Sequence, residues 1–223
     1  DNISKSISII NKINIVLKNY DKIRIIDLGT GTGSNFRYLS KKIKFKNQSW
    51  TLMDLSKSSL NEAKKTSVTN NKIQKIILKH DDIIKNIEQH NFDNYEIVTG
   101  SAFLDIMPVD WFKKFYTKNR NTKLVYFSIN YDGYFKFYPK HKLDKDVLQL
   151  FNNDQKSKKN NKTRAVGPDC SNIINSWFAK THKCYLFKSN WTDVKNKNFQ
   201  LMFLDFCENI IKKNKKTNFS EWL

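Results

Sequence analysis

This sequence has little cysteine, little arginine and no long apolar run, and each scarcity excludes a class of protein. No stretch approaches the roughly 20 apolar residues that a helix needs to cross a bilayer, so we predict no membrane protein. Residues 1–20 carry charge throughout and lack a small-residue cleavage site, unlike a secretory signal. Cys170, Cys184 and Cys207 lack CxxC spacing, which argues against a disulfide framework or a zinc site. We predict reduced thiols, a cytoplasmic protein and no bound metal.

Arginine is the scarcer of the two strong bases. It occurs at Arg24, Arg37, Arg120 and Arg164, and lysine supplies the rest of the 40 basic residues behind a formal net charge of +19. Nucleic-acid-binding proteins favour arginine for its planar, bidentate fork, and the lysines here are scattered along the chain. We therefore interpret the charge as a solvated surface and predict a small-molecule substrate. Binding to a nucleic acid is the alternative, and the oligomeric state stays open.

Short β-branched runs alternate with amphipathic segments in the first 130 residues. The run at 23–28 stops at glycines and is typical of a buried parallel strand. Further strands are predicted at 49–53, 73–78, 95–98 and 124–129, and helices within 1–20, at 34–42, through Leu60 and Ala63, and at 111–116. Such alternation predicts an α/β fold with a doubly wound, mostly parallel sheet and helices on both faces.

The pattern loosens beyond residue 131. Helices are predicted at 144–151, 169–180 and 199–212, a polar loop at 152–162 and a short strand at 184–187. We expect one domain over 1–223, with an N-terminal helix (1–20), a cofactor-binding half (21–130) and a substrate and lid half (131–223). No final strand follows the last helix, and the first residue is Asp1 rather than Met, so we expect a longer natural chain.

A glycine-rich turn follows the first predicted strand. Gly29, Gly31 and Gly33 are spaced GxGxG, whereas a dinucleotide fingerprint needs its third small residue at position 34, which is Ser34. Asp27 lies two residues before the triplet. A carboxylate there would repel a pyrophosphate and would suit a ligand that carries an ammonium and a sulfonium group. The spacing therefore favours a cationic nucleotide over NAD.

With these residues, the segment IRIIDLGTGTGSN resembles the first motif of the class I S-adenosylmethionine (SAM)-dependent methyltransferases. The fragments GTGSNFRYL, SWTLMD, NYDG and AVGPD look similar to a bacterial small-molecule branch of that family. The resemblance implies a Rossmann-like sheet of the seven-stranded type, here with its final strand missing. It also implies SAM as the cofactor and S-adenosylhomocysteine (SAH) as the product.

The resemblance also implies which residues hold the cofactor. Asp54 ends the second strand, where the family binds the ribose hydroxyls, and Asp81 or Asp82 ends the third, where it contacts the adenine amine. The full predicted set is Asp27, Gly29, Thr30, Gly31, Gly33, Asp54, Leu55, Asp81, Asp82, Ile83 and Gly100. A helix N-cap is the alternative for a single aspartate at a strand end, and the choice between Asp81 and Asp82 stays open.

The sequence says less about the residues that would bind the methyl acceptor. The segment after strand four lacks the Asn/Asp-Pro-Pro-aromatic motif of exocyclic-amine methylation, and the chain has no Pro-Cys pair for C5 methylation of pyrimidines. We interpret Tyr131 and Asp132 as candidate catalytic residues, with a turn as the alternative. Arg164, Asp105 and Asp169 are candidate substrate contacts, and 140–169 is the candidate lid; for Arg164 a surface salt bridge is the alternative.

The predicted function is methyl transfer from SAM to an oxygen or nitrogen nucleophile of a small molecule by in-line displacement. An RNA or tRNA methyltransferase that uses the basic surface is one alternative. A SAM-binding scaffold without catalysis is the other.

Overall fold

Five parallel strands form the sheet at the centre of this protein. The computed structural model describes residues 7–66, 70–157, 163–189, 196–214 and 221–222. The strands are β1 (Lys22–Leu28), β2 (Asn47–Asp54), β3 (Ile73–His80), β4 (Ile97–Ser101) and β5 (Leu124–Ser128). Their order is β3-β2-β1-β4-β5, so the chain reverses its direction of winding between β1 and β4. In an open α/β sheet, ligands bind beside the carboxyl ends of the strands at such a switch point.

Helices cover both faces of the sheet, which confirms the doubly wound α/β class. They are α1 (Ile7–Val16), α2 (Ser34–Lys42), α3 (Lys57–Lys65), α4 (Val109–Asn119), α5 (Asp144–Gln155), α6 (Cys170–Phe178) and α7 (Lys197–Lys213), with short 3₁₀ helices at Ile87–Gln89, Leu104–Ile106 and Gly167–Asp169. None of the described helices is long and apolar enough to span a membrane.

The core is divided by the sheet. On one face, side chains of α1, α2 and α3 pack on the strands around Phe36 and Trp50, whose rings meet edge to face at 5.0 Å. On the other, α4 and α6 enclose Trp111, which stacks on Phe115 with ring centroids 4.5 Å apart. A third apolar cluster joins α5 to α7 around Phe151. The central strands β1 and β4 are buried on both sides, as is typical of a parallel sheet covered by helices, whereas the edge strand β3 is partly exposed.

Several predicted elements need correction. The described residues contain five strands, not seven, and 184–187 is not one of them: Leu186 there is 76% exposed, so the segment has no core to pack against. The predicted polar loop at 152–162 begins too early, because α5 continues to Gln155; residues 158–162 lie outside the described part. The N-terminal helix occupies Ile7–Val16 of the predicted 1–20, and residues 1–6 also lie outside it.

Candidate active site

A glycine-rich loop joins β1 to α2 at the middle of the carboxyl edge. Gly29, Gly31 and Gly33 have φ values of +62°, +51° and +86°, which residues with a side chain rarely adopt. The Thr30 N–H donates to the Met53 carbonyl of β2 at 3.0 Å, and the Gly33 N–H donates to the Thr30 carbonyl at 2.9 Å. The loop is therefore a tight turn fixed against the neighbouring strand.

The three glycines differ in what surrounds them. A Cβ at Gly29 would lie 2.5 Å from Phe103 Cδ2, and one at Gly33 would lie 3.1 Å from Ala63 Cβ. At Gly31, no atom of the described residues lies within 4 Å of the Cβ position. Gly29 and Gly33 are thus required by packing inside the protein. Gly31 faces open space, so a ligand could approach its backbone closely. We call this open position at Gly31 the cradle.

Asp27 lies beneath the loop. Its side chain is fully buried; Oδ2 accepts a hydrogen bond from Thr30 Oγ1 at 2.8 Å, and Oδ1 accepts one from Asn35 Nδ2 at 2.7 Å. Asn35 Nδ2 also lies 3.2 Å from Thr99 Oγ1 of β4. Asp27, which the sequence places in the cofactor-binding set, is thus buried beneath the loop and bonded to Thr30 and Asn35. These bonds connect Asp27 to the loop and to α2.

β2 ends at Asp54, whose carboxylate faces the loop. Oδ2 accepts the Gly31 N–H at 2.8 Å, and Oδ1 accepts the Ser56 N–H at 2.8 Å. Each carboxylate oxygen can accept a second hydrogen bond, and the residue is only partly buried. Leu55, the next residue, is 63% exposed. Asp54 can therefore bind ligand hydroxyls beside the Gly31 cradle, with an apolar side chain next to it.

Asp81, at the end of β3, is the centre of a polar cluster. Its Oδ1 accepts from Asn86 Nδ2 at 2.7 Å, and its Oδ2 lies 3.1 Å from Nε2 of the buried His90, whose Nδ1 lies 2.9 Å from Lys79 Nζ. Burial alone would raise the pKa of Asp81, but the bond from Asn86 and the neighbouring His90 and Lys79 hold it below its ordinary value. Burial and Lys79 lower the pKa of His90. The Nδ1 of the neutral ring accepts from Lys79, whereas Nε2, although it lies near Asp81, makes no hydrogen bond of good geometry with any described residue.

Asp82 organises the turn that follows. Its Oδ1 accepts the N–H groups of Ile84 and Lys85, at 3.0 and 3.2 Å. The side chain of Ile83 is buried in the core, with 7% of its surface exposed. Both aspartates thus have structural roles in the described structure, and the geometry does not favour one of them for the adenine contact.

The carboxyl ends of β4 and β5 face the other side of the loop. A Cβ at Gly100 would lie 2.8 Å from Phe127 Cε1, so this glycine is explained by packing. Ala102 and Ile129, just after the two strands, have positive φ values of +51° and +54°. Such a φ is uncommon for any residue other than glycine and is especially unusual for the β-branched Ile129. The Ala102 N–H donates to the Ser128 carbonyl at 2.9 Å, which joins the two chain reversals.

No family model and no curated protein matches this chain. Its structure is similar to the cyclopropane synthase MmaA2 from Mycobacterium tuberculosis, with a TM-score of 0.50 and 12% identity over 95% of this chain and 71% of that one. The plantazolicin methyltransferase BpumL, solved with SAH, gives a TM-score of 0.39 and 18% identity over 57% of this chain and 48% of its own. The fold is that of the class I SAM-dependent methyltransferases.

A SAM-dependent methyltransferase from Geobacter sulfurreducens, also solved with SAH, gives a TM-score of 0.37 and 12% identity over 53% of this chain and 46% of its own. In these two matches the chain covers about half the length of BpumL and of the Geobacter protein. At these identities the likeness concerns the class I methyltransferase fold alone.

On this methyltransferase fold, Tyr131 follows β5 and holds α5 in place. Its hydroxyl donates to Asn152 Oδ1 at 2.7 Å, and its ring meets Phe151 at 5.2 Å. Burial, with a smaller contribution from Asp132, raises the pKa of Tyr131, so the phenol stays protonated and accepts a proton poorly. Asp132 is exposed, and its Oδ1 accepts the Tyr134 N–H at 3.3 Å. Of the two predicted catalytic residues, only Asp132 is accessible as a proton acceptor.

The three predicted substrate contacts lie on neighbouring segments. Asp105 is in the 3₁₀ helix Leu104–Ile106, and Asp169 is in the 3₁₀ helix Gly167–Asp169 that packs against it. Asp169 Oδ2 accepts from Lys156 Nζ at 2.6 Å. Arg164 is exposed. The next residue, Ala165, pairs with Pro108, which follows the 3₁₀ helix Leu104–Ile106. Asp169 is thus paired within the chain, whereas Arg164 faces solvent.

Two residues that hold the loop in place were not among the predicted site residues. Asn35 connects Asp27 to β4, and Arg37 Nη1 donates to the Thr32 carbonyl and to Thr66 Oγ1 at the end of α3. Arg37 is one of four arginines in the chain, and this scarcity was the available signal. For Asn35, its position in the first turn of the helix after the glycines gave no indication that it reaches back to β1.

Proposed function

We propose that this chain transfers a methyl group from SAM to an oxygen or nitrogen nucleophile of a small molecule, with release of SAH. The observation that carries the proposal is the Gly31 cradle beside the Asp54 carboxylate. A backbone open to close approach, next to an acceptor for two hydroxyls, fits a ribonucleoside.

The charges around the cradle support SAM over a dinucleotide. Asp27 and Asp54 place two carboxylates at the loop, where they attract a ligand with a sulfonium and an ammonium group and repel a pyrophosphate. SAM supplies an electrophilic methyl group when it is bound. Asp54 would bind the ribose and Leu55 would contact the adenine, while Asp27 and Arg37 keep the loop in position.

The acceptor side supports in-line transfer by positioning. α5, held to β5 through Tyr131, would cover the acceptor and exclude water, and positioning supplies much of the rate of such a displacement. Asp132 is the proposed acceptor of the proton that a hydroxyl group, or the ammonium form of an amine, loses as it becomes the nucleophile. Arg164 is the proposed contact for an anionic part of the acceptor. Tyr131 is proposed as a positioning residue, because its protonated phenol is committed to Asn152.

The distribution of charge supports a small-molecule acceptor over RNA. Lysines form ion pairs at separate places on the surface: Lys114 with Glu88, Lys142 with Glu221, Lys212 with Glu208 and Lys213 with Asp154. Ion pairs spread in this way reduce the contiguous positive potential that polyanion binding needs.

The test begins with calorimetry of SAM, SAH and NAD on the wild-type chain and on Asp54→Asn. We expect SAM and SAH to bind, NAD not to bind, and the variant to lose at least about tenfold in SAM affinity, or ~1.4 kcal/mol. Saturation with NAD and no heat with SAM would refute the proposal.

The second arm uses labelled SAM with separate small-molecule and RNA extracts. Label in the small-molecule fraction supports the proposal, and label in the RNA fraction favours the RNA methyltransferase. SAM binding without transfer to either fraction favours the scaffold.

A further inference from the structure

Asn130, the second residue after β5, has a side-chain amide that is only half used within the described part of the chain. Its Oδ1 accepts the Leu104 N–H at 3.1 Å. This bond fixes the orientation of the amide, because only the oxygen can accept. Among the described residues, none makes a hydrogen bond with Asn130 Nδ2, and this atom is not one of the buried polar atoms that lack a partner. Both Nδ2 hydrogens are therefore available to a group that enters from solvent.

The Asn130 amide lies between the chain segments that leave β4 and β5. Leu104, to which it is bonded, follows Phe103, whose Cδ2 lies 2.5 Å from the position that a Cβ would take on Gly29. The amide is thus bonded to the residue next to a ring that packs on the glycine loop. This is the carboxyl edge of the sheet beside the switch point, where ligands of an open α/β sheet bind.

The backbone that presents Asn130 is strained. Ile129, just before it, has a φ of +54°, and Ala102, two residues before Leu104, has a φ of +51°. The Ala102 N–H donates to the Ser128 carbonyl at 2.9 Å, so the two strained segments are joined. Such strain persists where the surrounding structure enforces it, and strained residues cluster at active sites and ligand contacts. The strain therefore supports a functional role for the segment that carries Asn130.

We propose that Asn130 Nδ2 donates a hydrogen bond to the nucleophilic atom of the methyl acceptor and that this atom is a hydroxyl oxygen, an inference that rests on the proposed function. Asp132, the proposed proton acceptor, is two residues further along the same segment, so the two Cα atoms are at most about 7 Å apart. A hydroxyl oxygen has one lone pair for the methyl group and a second for the Asn130 donor. An amine nitrogen has a single lone pair, which the methyl group requires, so it cannot also accept from Asn130.

A hydroxyl group fits both side chains during the transfer. One lone pair of its oxygen forms the new O–CH₃ bond while the S–CH₃ bond of SAM breaks, and the electron pair of that bond stays on sulfur in SAH. The hydroxyl proton passes to the Asp132 carboxylate. Negative charge develops on the oxygen as the proton leaves, and a hydrogen bond from Asn130 Nδ2 stabilises it. The substrate class is therefore an alcohol or a phenol.

The first test compares two Asn→Asp variants by thermal denaturation. An aspartate at position 130 can still accept the Leu104 N–H, so Asn130→Asp should keep Tm within about 2 °C of the wild type. Asn152 is the matched control, because its Nδ2 donates to the Gly133 carbonyl at 3.0 Å and its Oδ1 accepts from Tyr131 at 2.7 Å. Asn152→Asp loses the bond to Gly133 and should lower Tm by about 2–8 °C. An equal fall for Asn130→Asp would overturn the inference, because Nδ2 would then have a partner within the protein.

The second test measures methyl transfer from labelled SAM into a small-molecule extract, with calorimetry of SAM on the same proteins. Asn130→Asp should bind SAM at least as tightly as the wild type, since a carboxylate attracts the sulfonium group. It should incorporate at least about tenfold less label, because it has no donor for the hydroxyl oxygen. If Asn130 only held Leu104 in place, an aspartate would serve as well. Wild-type incorporation by Asn130→Asp would therefore overturn the inference and leave the proposed function intact, whereas a wild type that binds no SAM would overturn both.

The labelled product gives a third readout. Mass spectrometry of the wild-type product should find the new methyl group on oxygen, as an ether. A methyl group on nitrogen would refute the hydroxyl assignment and would still be consistent with the proposed function.

Discussion

Replacing Gly31 by alanine tests whether the cradle binds the ligand, without disturbing the packing of the loop. The new Cβ would meet no described atom within 4 Å, so the cost to the fold is backbone strain at a φ of +51°. A left-handed conformation costs an L-residue roughly 1–2 kcal/mol, which for a chain of this size lowers Tm by about 2–8 °C. In Gly29→Ala the Cβ would lie 2.5 Å from Phe103 Cδ2. That clash adds about 1–3 kcal/mol to the strain, so Gly29→Ala should be the less stable variant.

SAM affinity should not follow this order of stability. In Gly31→Ala the added methyl group fills the cradle, and we expect SAM to bind at least about tenfold more weakly, a loss of ~1.4 kcal/mol. Urea denaturation gives the stabilities, and calorimetry at a temperature where every variant is folded gives the affinities. If Gly31→Ala bound SAM within twofold of the wild type, or lost as much stability as Gly29→Ala, the assignment of the cradle would be wrong.

Two further predictions concern stability. Because burial and Lys79 lower the pKa of His90 below its ordinary 6.5, its contribution to stability is complete above pH 6.5 and is lost as the pH falls toward the folded pKa. His90→Gln should flatten this part of the profile of unfolding free energy against pH, and parallel profiles would contradict the reasoning. Trp111 is 2% exposed and stacks on Phe115, so Trp111→Ala should lose about 3–5 kcal/mol in urea denaturation; a loss below about 1 kcal/mol would show that the aromatic cluster is not tightly packed.

The sheet was predictable from the sequence because short apolar segments alternate with amphipathic helical segments along the first 130 residues. The run at 23–28 became β1 with one residue added, and α2 occupies Ser34–Lys42 as predicted. The helix of residues 144–151 extends to Gln155 because of tertiary contacts. Asn152 looked like a loop residue, but it accepts from Tyr131 Oη and donates to the Gly133 carbonyl. Such bonds leave no periodic signal in a sequence.

The candidate site was predictable in its outline and not in its internal bonding. The spacing of the glycines located the loop, but it could not distinguish Gly31, which faces open space, from Gly33, which packs on α3. The electrostatic argument used the charge of Asp27, and it could not show that Thr30 and Asn35 hydrogen-bond to the Asp27 carboxylate. Which acids reach a ligand depends on their three-dimensional neighbours, and strand-end position alone does not reveal it.

The bridge from Arg37 to the Thr32 carbonyl and Thr66 Oγ1 couples the rim of the glycine loop to the last turn of α3. A substitution that destabilises this turn would change no residue of the cradle, but it would loosen the part of the glycine loop that contains Thr32. Substitutions at the end of α3 would then change cofactor affinity, in evolution or in engineering, without touching the cofactor. Changes at such a remote position would behave as allosteric modifiers of binding.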